Sequence, residues 1–206
     1  RVHSSLGSLG VTGFLMQNPA ANPLDYNESA YYERRIEISG WLDATNPDLS
    51  AFSKNGGKII ITIGTMDMTA SSGAQLDYYQ SLIDKMGKAT EKFARLYVIP
   101  QTGHGLSGKS YKTNGEGKTV EVRNIPAPNQ NDKIDLLISW VEKKEAPGLT
   151  MVVGKDGRIG VNTDVQGYLL CSYPNYPKYK GGPEDQASSY VSTAPVLGKT
   201  KSKTGK

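Results

Sequence analysis

Two residues of this chain have the type and the placement for acid–base chemistry. Asp67 lies in "GTMDMTAS", and His104, one of two histidines, lies in "PQTGHGLSG". Each follows directly on a short apolar run, "KIIITIG" (58–64) and "ARLYVIP" (94–100). A carboxylate that accepts an Nδ1–H holds the imidazole in one tautomer and stabilises its protonated form. Nε2 is then left to take a proton from a nucleophile. Taken singly, an aspartate in a turn and a histidine in a loop are ordinary surface residues. Their joint position, acid then base, each just past a strand candidate, is what points to a pair.

That position depends on the elements that hold it. Both runs are continuous, β-branched and bounded by Gly or Pro, the pattern of strands buried on both faces of a parallel sheet. Between them, "SSGAQLDYYQSLIDKMG" (71–87) sets Leu76, Tyr79, Ile83 and Met86 at helical spacing and stops at Gly87. Strand, helix, strand predicts a βαβ unit, whose right-handed crossover makes the strands parallel, and so an α/β fold. Neighbouring strand ends lie about 4.8 Å apart, and open α/β sheets build their sites beyond those carboxyl ends.

Upstream, "TNPDLSAFSKNGG" predicts a helix capped by Thr45 or Asn46, opened by Pro47 and ended by Gly56. Downstream, residues 105–131 read as a long polar connection. "DKIDLLISWVEKK" (132–144) then predicts an amphipathic helix presenting Ile134, Leu137, Ile138 and Val141 to the core, and "TMVVGKDGRIGV" predicts a hairpin turning at Asp156-Gly157. Trp140, Tyr78, Tyr79 and Phe93 read as core residues. Met66 and Met68 flank Asp67.

Composition narrows the classes. The 206 residues are 37% hydrophobic and 21% charged with 23 glycines, the profile of one loop-rich globular domain with a substantial core. The net charge of +4 comes from scattered lysines and from the terminal "GKTKSKTGK". Residues 191–206 therefore read as a basic, disordered tail, and no aromatic-interleaved basic strand predicts a nucleic-acid partner. A single cysteine, Cys171, excludes an intrachain disulfide and a thiolate zinc site, and reads as a small buried hydrophobe. No apolar run approaches the roughly 18 residues that span a bilayer. Residues 1–45 read as largely irregular with one or two short helices. Their opening "RVHSSLGSLG" has neither an initiating Met nor a signal-like core, which suggests a processed product or fragment. His3 in this end is given no role.

One partner of the Asp–His pair is missing. In α/β-hydrolases the order is Ser, then Asp or Glu, then His, with the serine in a G-x-S-x-G elbow after a strand. "LGSLG" (6–10) places Gly7 directly beside Ser8 and follows no strand. No other serine upstream of Asp67 fits, so no nucleophile is expected in this chain.

Four blocks together resemble the C-terminal part of the tannase/feruloyl esterase family. They are "ATNPDLSAFSKNGGKIIITIGTMDMTASSGAQLDYYQSLIDKMG", "FARLYVIPQTGHGLSG", "LLISWVEKKEAPG" and "LLCSYPNYPKYKGGPED", within about residues 40–185. The resemblance implies an α/β-hydrolase fold, parallel strands with flanking helices, of which this chain is the C-terminal portion without the nucleophile half. It implies that Asp67 is the triad acid and His104 the general base, acting on phenolic esters of the feruloyl or galloyl type. Residues 1–45 would return from the lid, residues 46–190 would belong to the catalytic domain, and the serine would sit on the N-terminal half of the same protein.

The resemblance also implies secreted or periplasmic placement, no cofactor held by this chain, and a calcium ion in the lid region outside it. The sequence departs from the family at Gly105, where typical members carry a cysteine bonded beside the serine. It departs again at Cys171, which finds no partner in "SSYVSTAP", and in the length and polarity of the segment after His104. These departures read as a divergent, bacterial-type member. Two other readings stay open: a non-catalytic domain that keeps the hydrolase shape, and a different α/β-hydrolase of peptidase or dienelactone type. Half a hydrolase sheet also predicts an uncovered edge strand, with association or instability as the result.

Overall fold

The computed structural model describes residues 2–195. Residues 196–206, most of the predicted tail, and the side chain of His3 lie outside what is described. The chain divides at Asn46–Pro47 into two compact units.

The first unit is helical. Helix α1 (Val2–Leu9) widens into a π turn at Gly10–Leu15, and α2 spans Tyr32–Leu42. More of 1–45 is therefore helical than its turn-forming residues predict. Local pairs hold it together: Arg34 donates to the Phe14 carbonyl and to Glu37, and the Tyr26 and Tyr31 rings stack at 5.6 Å.

The second unit begins with α3 (Ser50–Lys54), shorter than predicted. Pro47 does not open it; the Asp48 carboxylate accepts the Ser50 amide instead, and Gly56, at φ 81°, turns the chain away. Strand β1 (Ile59–Gly64), helix α4 (Ser72–Met86) and strand β2 (Ala94–Ile99) follow. The two strands pair in parallel with Ile59 opposite Ala94 and Gly64 opposite Ile99, so both chains leave the sheet at the same end. Ser71 Oγ accepts the Ala74 amide at the start of α4, and Gly87 closes it at φ 59°. Tyr79 and Leu82 bury its inner face with Ile63, Phe93 and Leu96. These fully covered side chains are the hydrophobic anchor of the pair of strands, each contributing about 1.5–3 kcal/mol.

Strand β1 is less covered than a central strand. Ile59, Ile60, Ile61 and Thr62 are only half-buried, and among the described residues no strand lies on its outer edge.

The connection predicted over 105–131 is instead an antiparallel hairpin, β3 (Gly108–Thr113) and β4 (Thr119–Ile125). Its apolar Tyr111, Val120 and Val122 are exposed while the polar Ser110, Glu121 and Arg123 are half-buried, so no core-facing apolar period marks the strands; the turn at Asn114 is closed by its own Oδ1 accepting the Glu116 and Lys118 amides. Helix α5 (Gln130–Ile138) then runs into a π turn at Ser139–Lys143. Its face is rotated from the predicted one. Asp132 and Trp140 are buried and Leu136 packs on the core, whereas Ile134, Ile138 and Val141 are exposed by 46%, 44% and 41%. Two cations lie over the Trp140 ring, Lys58 Nζ at 5.5 Å and the Arg95 guanidinium at 5.2 Å from its centroid. These contacts fix the helix rotation in place of the aliphatic stripe.

The rest is β structure. Strand β5 (Thr150–Gly154) forms the predicted hairpin with β6 (Ile159–Gly160), and β7 (Gly167–Cys171) adds to its other side. A final pair, β8 (Tyr176–Tyr179) and β9 (Tyr190–Thr193), extends ordered chain into the segment predicted as tail. Tyr97, Ile99, Met151, Val153 and Leu170 join this layer to β2, and Cys171 is buried and free. Of the four aromatics predicted as core, Trp140, Tyr79 and Phe93 are buried and Tyr78 is half-buried.

Candidate active site

Parallel pairing of β1 and β2 delivers Asp67 and His104 to one end of the sheet. His104 Nδ1 donates to Asp67 Oδ2 at 2.9 Å. The second carboxylate oxygen, Oδ1, accepts the Thr69 amide at 2.8 Å and the Ala70 amide at 3.0 Å. The backbone after β1 therefore turns around the carboxylate and leaves only one oxygen for the ring. The Ala70 amide, the His104 hydrogen bond and the Thr69 amide hold the Asp67 carboxyl below its ordinary value of 3.8, so it is ionised throughout the neutral range.

Burial differs across the pair. The Asp67 side chain is 7% exposed and that of His104 66%. An enclosed acid and an open ring suit an orienting group and a proton-transfer group.

The two loops cross closely. A Cβ on Gly64 would run into the carbonyl and hydroxyl oxygens of Thr102, and one on Gly108 would run into the Gln101 carbonyl. Both positions need glycine for lack of space. Thr102 is fully buried, with Oγ1 donating to the Ile99 carbonyl at 2.9 Å, and it pairs with Gly108 to close the loop that carries His104. These supports escape a reading of residue types alone, although glycine at the strand end and just after the loop was a signal of close approach.

The serines nearest Asp67 have structural tasks. Ser71 Oγ caps α4, and Ser72 Oγ donates to the Gly64 carbonyl at 2.6 Å. Met66 and Met68 are 64% and 78% exposed beside the carboxylate. Among the described residues there is no group of three or more His, Cys, Asp or Glu side chains that could hold a metal ion, and no helix is long and apolar enough to cross a membrane.

A mainly apolar cavity of about 520 Å³ lies behind the His104 loop, bounded by Pro100, Gln101, Arg123, Tyr168, Glu184 and Tyr190. Its charged rim is internally paired, with Arg123 facing Glu121 and Glu184, and it does not contain the Asp67–His104 pair. Proximity to the pair, not cavity size, marks the candidate site.

Known proteins with the same sequence pattern carry ester-cleaving names. The chain is 32% identical over 157 residues to a mono(2-hydroxyethyl) terephthalate hydrolase of Piscinibacter sakaiensis, covering 75% of this chain and 23% of that protein. It is 31% identical over 148 residues to a probable feruloyl esterase of Arthroderma benhamiae, covering 71% and 24%. Feruloyl esterase B from Aspergillus oryzae shares the fold at a TM-score of 0.66 and 20% identity, over 89% of this chain and 36% of that one. The tannin acyl hydrolase from Aspergillus niger does so at 0.63 and 19%, over 92% and 33%. The chain thus spans about a quarter to a third of the length of these relatives. Both structural likenesses establish an α/β fold of this type. The family described as tannase and feruloyl esterase matches residues 10–193, and the chain belongs to it.

Proposed function

We propose that this chain supplies the acid and the base of a serine carboxylic-ester hydrolase acting on esters of aromatic acids. The observation that carries the reading is the Asp67–His104 hydrogen bond at the carboxyl ends of two parallel strands. The names of the relatives, feruloyl, tannin and terephthalate, share an ester of an aromatic acid. Within that class, the feruloyl and tannin names favour a phenolic ester of the feruloyl or galloyl type as the substrate.

In this reading a serine hydroxyl adds to the ester carbonyl while His104 Nε2 takes its proton. The C–O bond to the alcohol breaks, and the alcohol leaves with that proton from His104. Water, deprotonated in turn by His104, then adds to the acyl-enzyme; the acid departs and the serine regains its proton. Asp67 stays ionised and stabilises the imidazolium in both halves.

The serine and the oxyanion donors belong to a segment outside these 206 residues, the N-terminal half of the same protein. The outer edge of β1, which has no partner strand among the described residues and where alternate amides and carbonyls face away from β2, is where a further parallel strand would pair. The exposed Ile134, Ile138 and Val141 of α5 would meet the same segment. This chain alone is then inactive. The calcium implied for the lid would bind there, and no step here passes through it. Placement outside the cytoplasm follows the same family reading.

The test is turnover of methyl ferulate and methyl gallate by the full-length protein. His104→Ala should abolish hydrolysis, and Asp67→Asn should reduce it by about 10⁴-fold, as loss of the orienting acid does in a serine triad. Undiminished activity in His104→Ala would overturn the assignment.

A further inference from the structure

The loops bearing Asp67 and His104 are tied by more than the carboxylate–imidazole bond. The Thr65 amide donates to the Ile99 carbonyl at 3.2 Å and the Met66 amide to the Thr102 carbonyl at 2.9 Å. Both are backbone bonds, open to any sequence. The third tie needs a particular side chain: the Gln101 amide donates to Thr65 Oγ1 at 2.9 Å.

Gln101 is where the chain leaves β2 and bends. Its φ of 60° lies in the left-handed region, which residues with a Cβ disfavour unless their surroundings impose it. Past the bend, the Gly103 amide donates to the Ser107 carbonyl and the Leu106 amide to the Gly103 carbonyl, a closed loop with His104 on it. Asp67 is fixed by its own loop through the Thr69 and Ala70 amides. The position of the imidazole depends instead on the bend at Gln101.

We propose that Thr65 is a positioning residue for the Asp67–His104 pair. Its hydroxyl holds the Gln101 amide in the left-handed bend and so sets where His104 Nδ1 meets Asp67 Oδ2. The inference rests on the reading of His104 as the general base only for its consequence in catalysis. The geometry itself is tested without turnover.

The experiment uses the 206-residue chain, with ¹⁵N NMR of the His104 ring at a pH where the imidazole is neutral. Wild type and Thr65→Ser should show one tautomer, protonated on Nδ1. Thr65→Val keeps the shape but removes the acceptor. It should give mixed tautomers and exchange the Leu106 amide about fivefold faster, the scale of one net hydrogen bond. Thr65→Val with Gln101→Gly should recover the wild-type ring signal, because glycine takes a positive φ without strain. Throughout, the Leu96 and Tyr97 amides in β2 should keep their shifts.

Three results overturn the proposal: a Thr65→Val chain with the wild-type tautomer and exchange, a double variant that does not recover, or a loss that appears only together with disturbed Leu96 and Tyr97 signals. The last would make Thr65 a general stability residue. A full-length His104→Ala enzyme that still hydrolyses ester would defeat the catalytic reading and leave this geometric result standing.

Discussion

His104 presents an open imidazole to solvent while the carboxylate of Asp67, 2.9 Å from its Nδ1, is almost covered. The asymmetry makes the pair's response to acid predictable. Asp67 is held below 3.8 chiefly by the Ala70 amide, then by His104 and the Thr69 amide. A carboxyl group with a depressed folded-state value stabilises the fold fully above its unfolded value, and that contribution is lost as pH falls through the folded value. Wild type should therefore lose stability relative to Asp67→Asn as pH drops below about 3.8. Urea midpoints for both chains across that range check it, and parallel curves would refute it.

Carboxyl-carbon NMR gives a sharper version. In His104→Ala the Asp67 titration should move upward and yet stay below 3.8, because the Ala70 amide, the largest cause, remains. Return to the ordinary value would mean that the imidazole, not the backbone, carries the depression.

What the sequence disclosed follows from how local each signal is. Strands β1 and β2 and helix α4 were readable because β-branched runs and a helical stripe sit between glycine stops, and their parallel pairing follows from the crossover. Asp67 and His104 were legible because they stand just past those strands. The 108–125 hairpin was not, since its apolar Tyr111, Val120 and Val122 are exposed and its half-buried Ser110, Glu121 and Arg123 are polar, the reverse of the alternation that marks a half-buried strand. The rotation of α5 was also hidden: the aliphatic stripe predicts one face, while Trp140, with Lys58 and Arg95 over its ring, and Asp132, bonded to Arg158, select another. Thr65 and Thr102 support the site through contacts across 36 residues or along a buried turn, which no short motif records.

Gly64→Ala should disturb the site more than its single methyl suggests. The added Cβ meets Thr102 and Gly103 backbone oxygens, which have no rotamer to move. Overpacking of this kind costs about 1–3 kcal/mol. The expected result is a lower denaturation midpoint together with loss of the Nδ1–H···Oδ2 signal. Wild-type stability in the variant would show that the loops separate freely.

Asp132 ties α5 to the β5–β6 hairpin. Its Oδ2 accepts both Arg158 Nε at 2.9 Å and the Ile159 amide at 2.8 Å from an 8% exposed position. Asp132→Ala leaves the Ile159 amide without that acceptor and should cost about 1–3 kcal/mol. Arg158→Ala should cost less, because the arginine side chain is 69% exposed and the amide bond to Asp132 survives. Denaturant unfolding of both variants decides the order, and a larger loss in Arg158→Ala would reverse the assignment.

The exposed stripe of α5 gives the last prediction. Helix α5 packs on the core through Leu136, in the same cluster as Ile60 of β1, and leaves Ile134, Ile138 and Val141 exposed; the outer edge of β1 has no partner strand among the described residues. Apolar rows and open edges of this kind drive association. The 206-residue chain should therefore self-associate as its concentration rises. Ile134→Lys with Ile138→Glu replaces side chains that are 46% and 44% exposed, so the chain should stay folded with a loss well below that of a buried isoleucine. The concentration-dependent rise in sedimentation coefficient should fall sharply in the same variant. If wild type stays monomeric at every concentration, the stripe and the β1 edge are not an adhesive surface. The proposed docking of a nucleophile-bearing segment there would then lose its support.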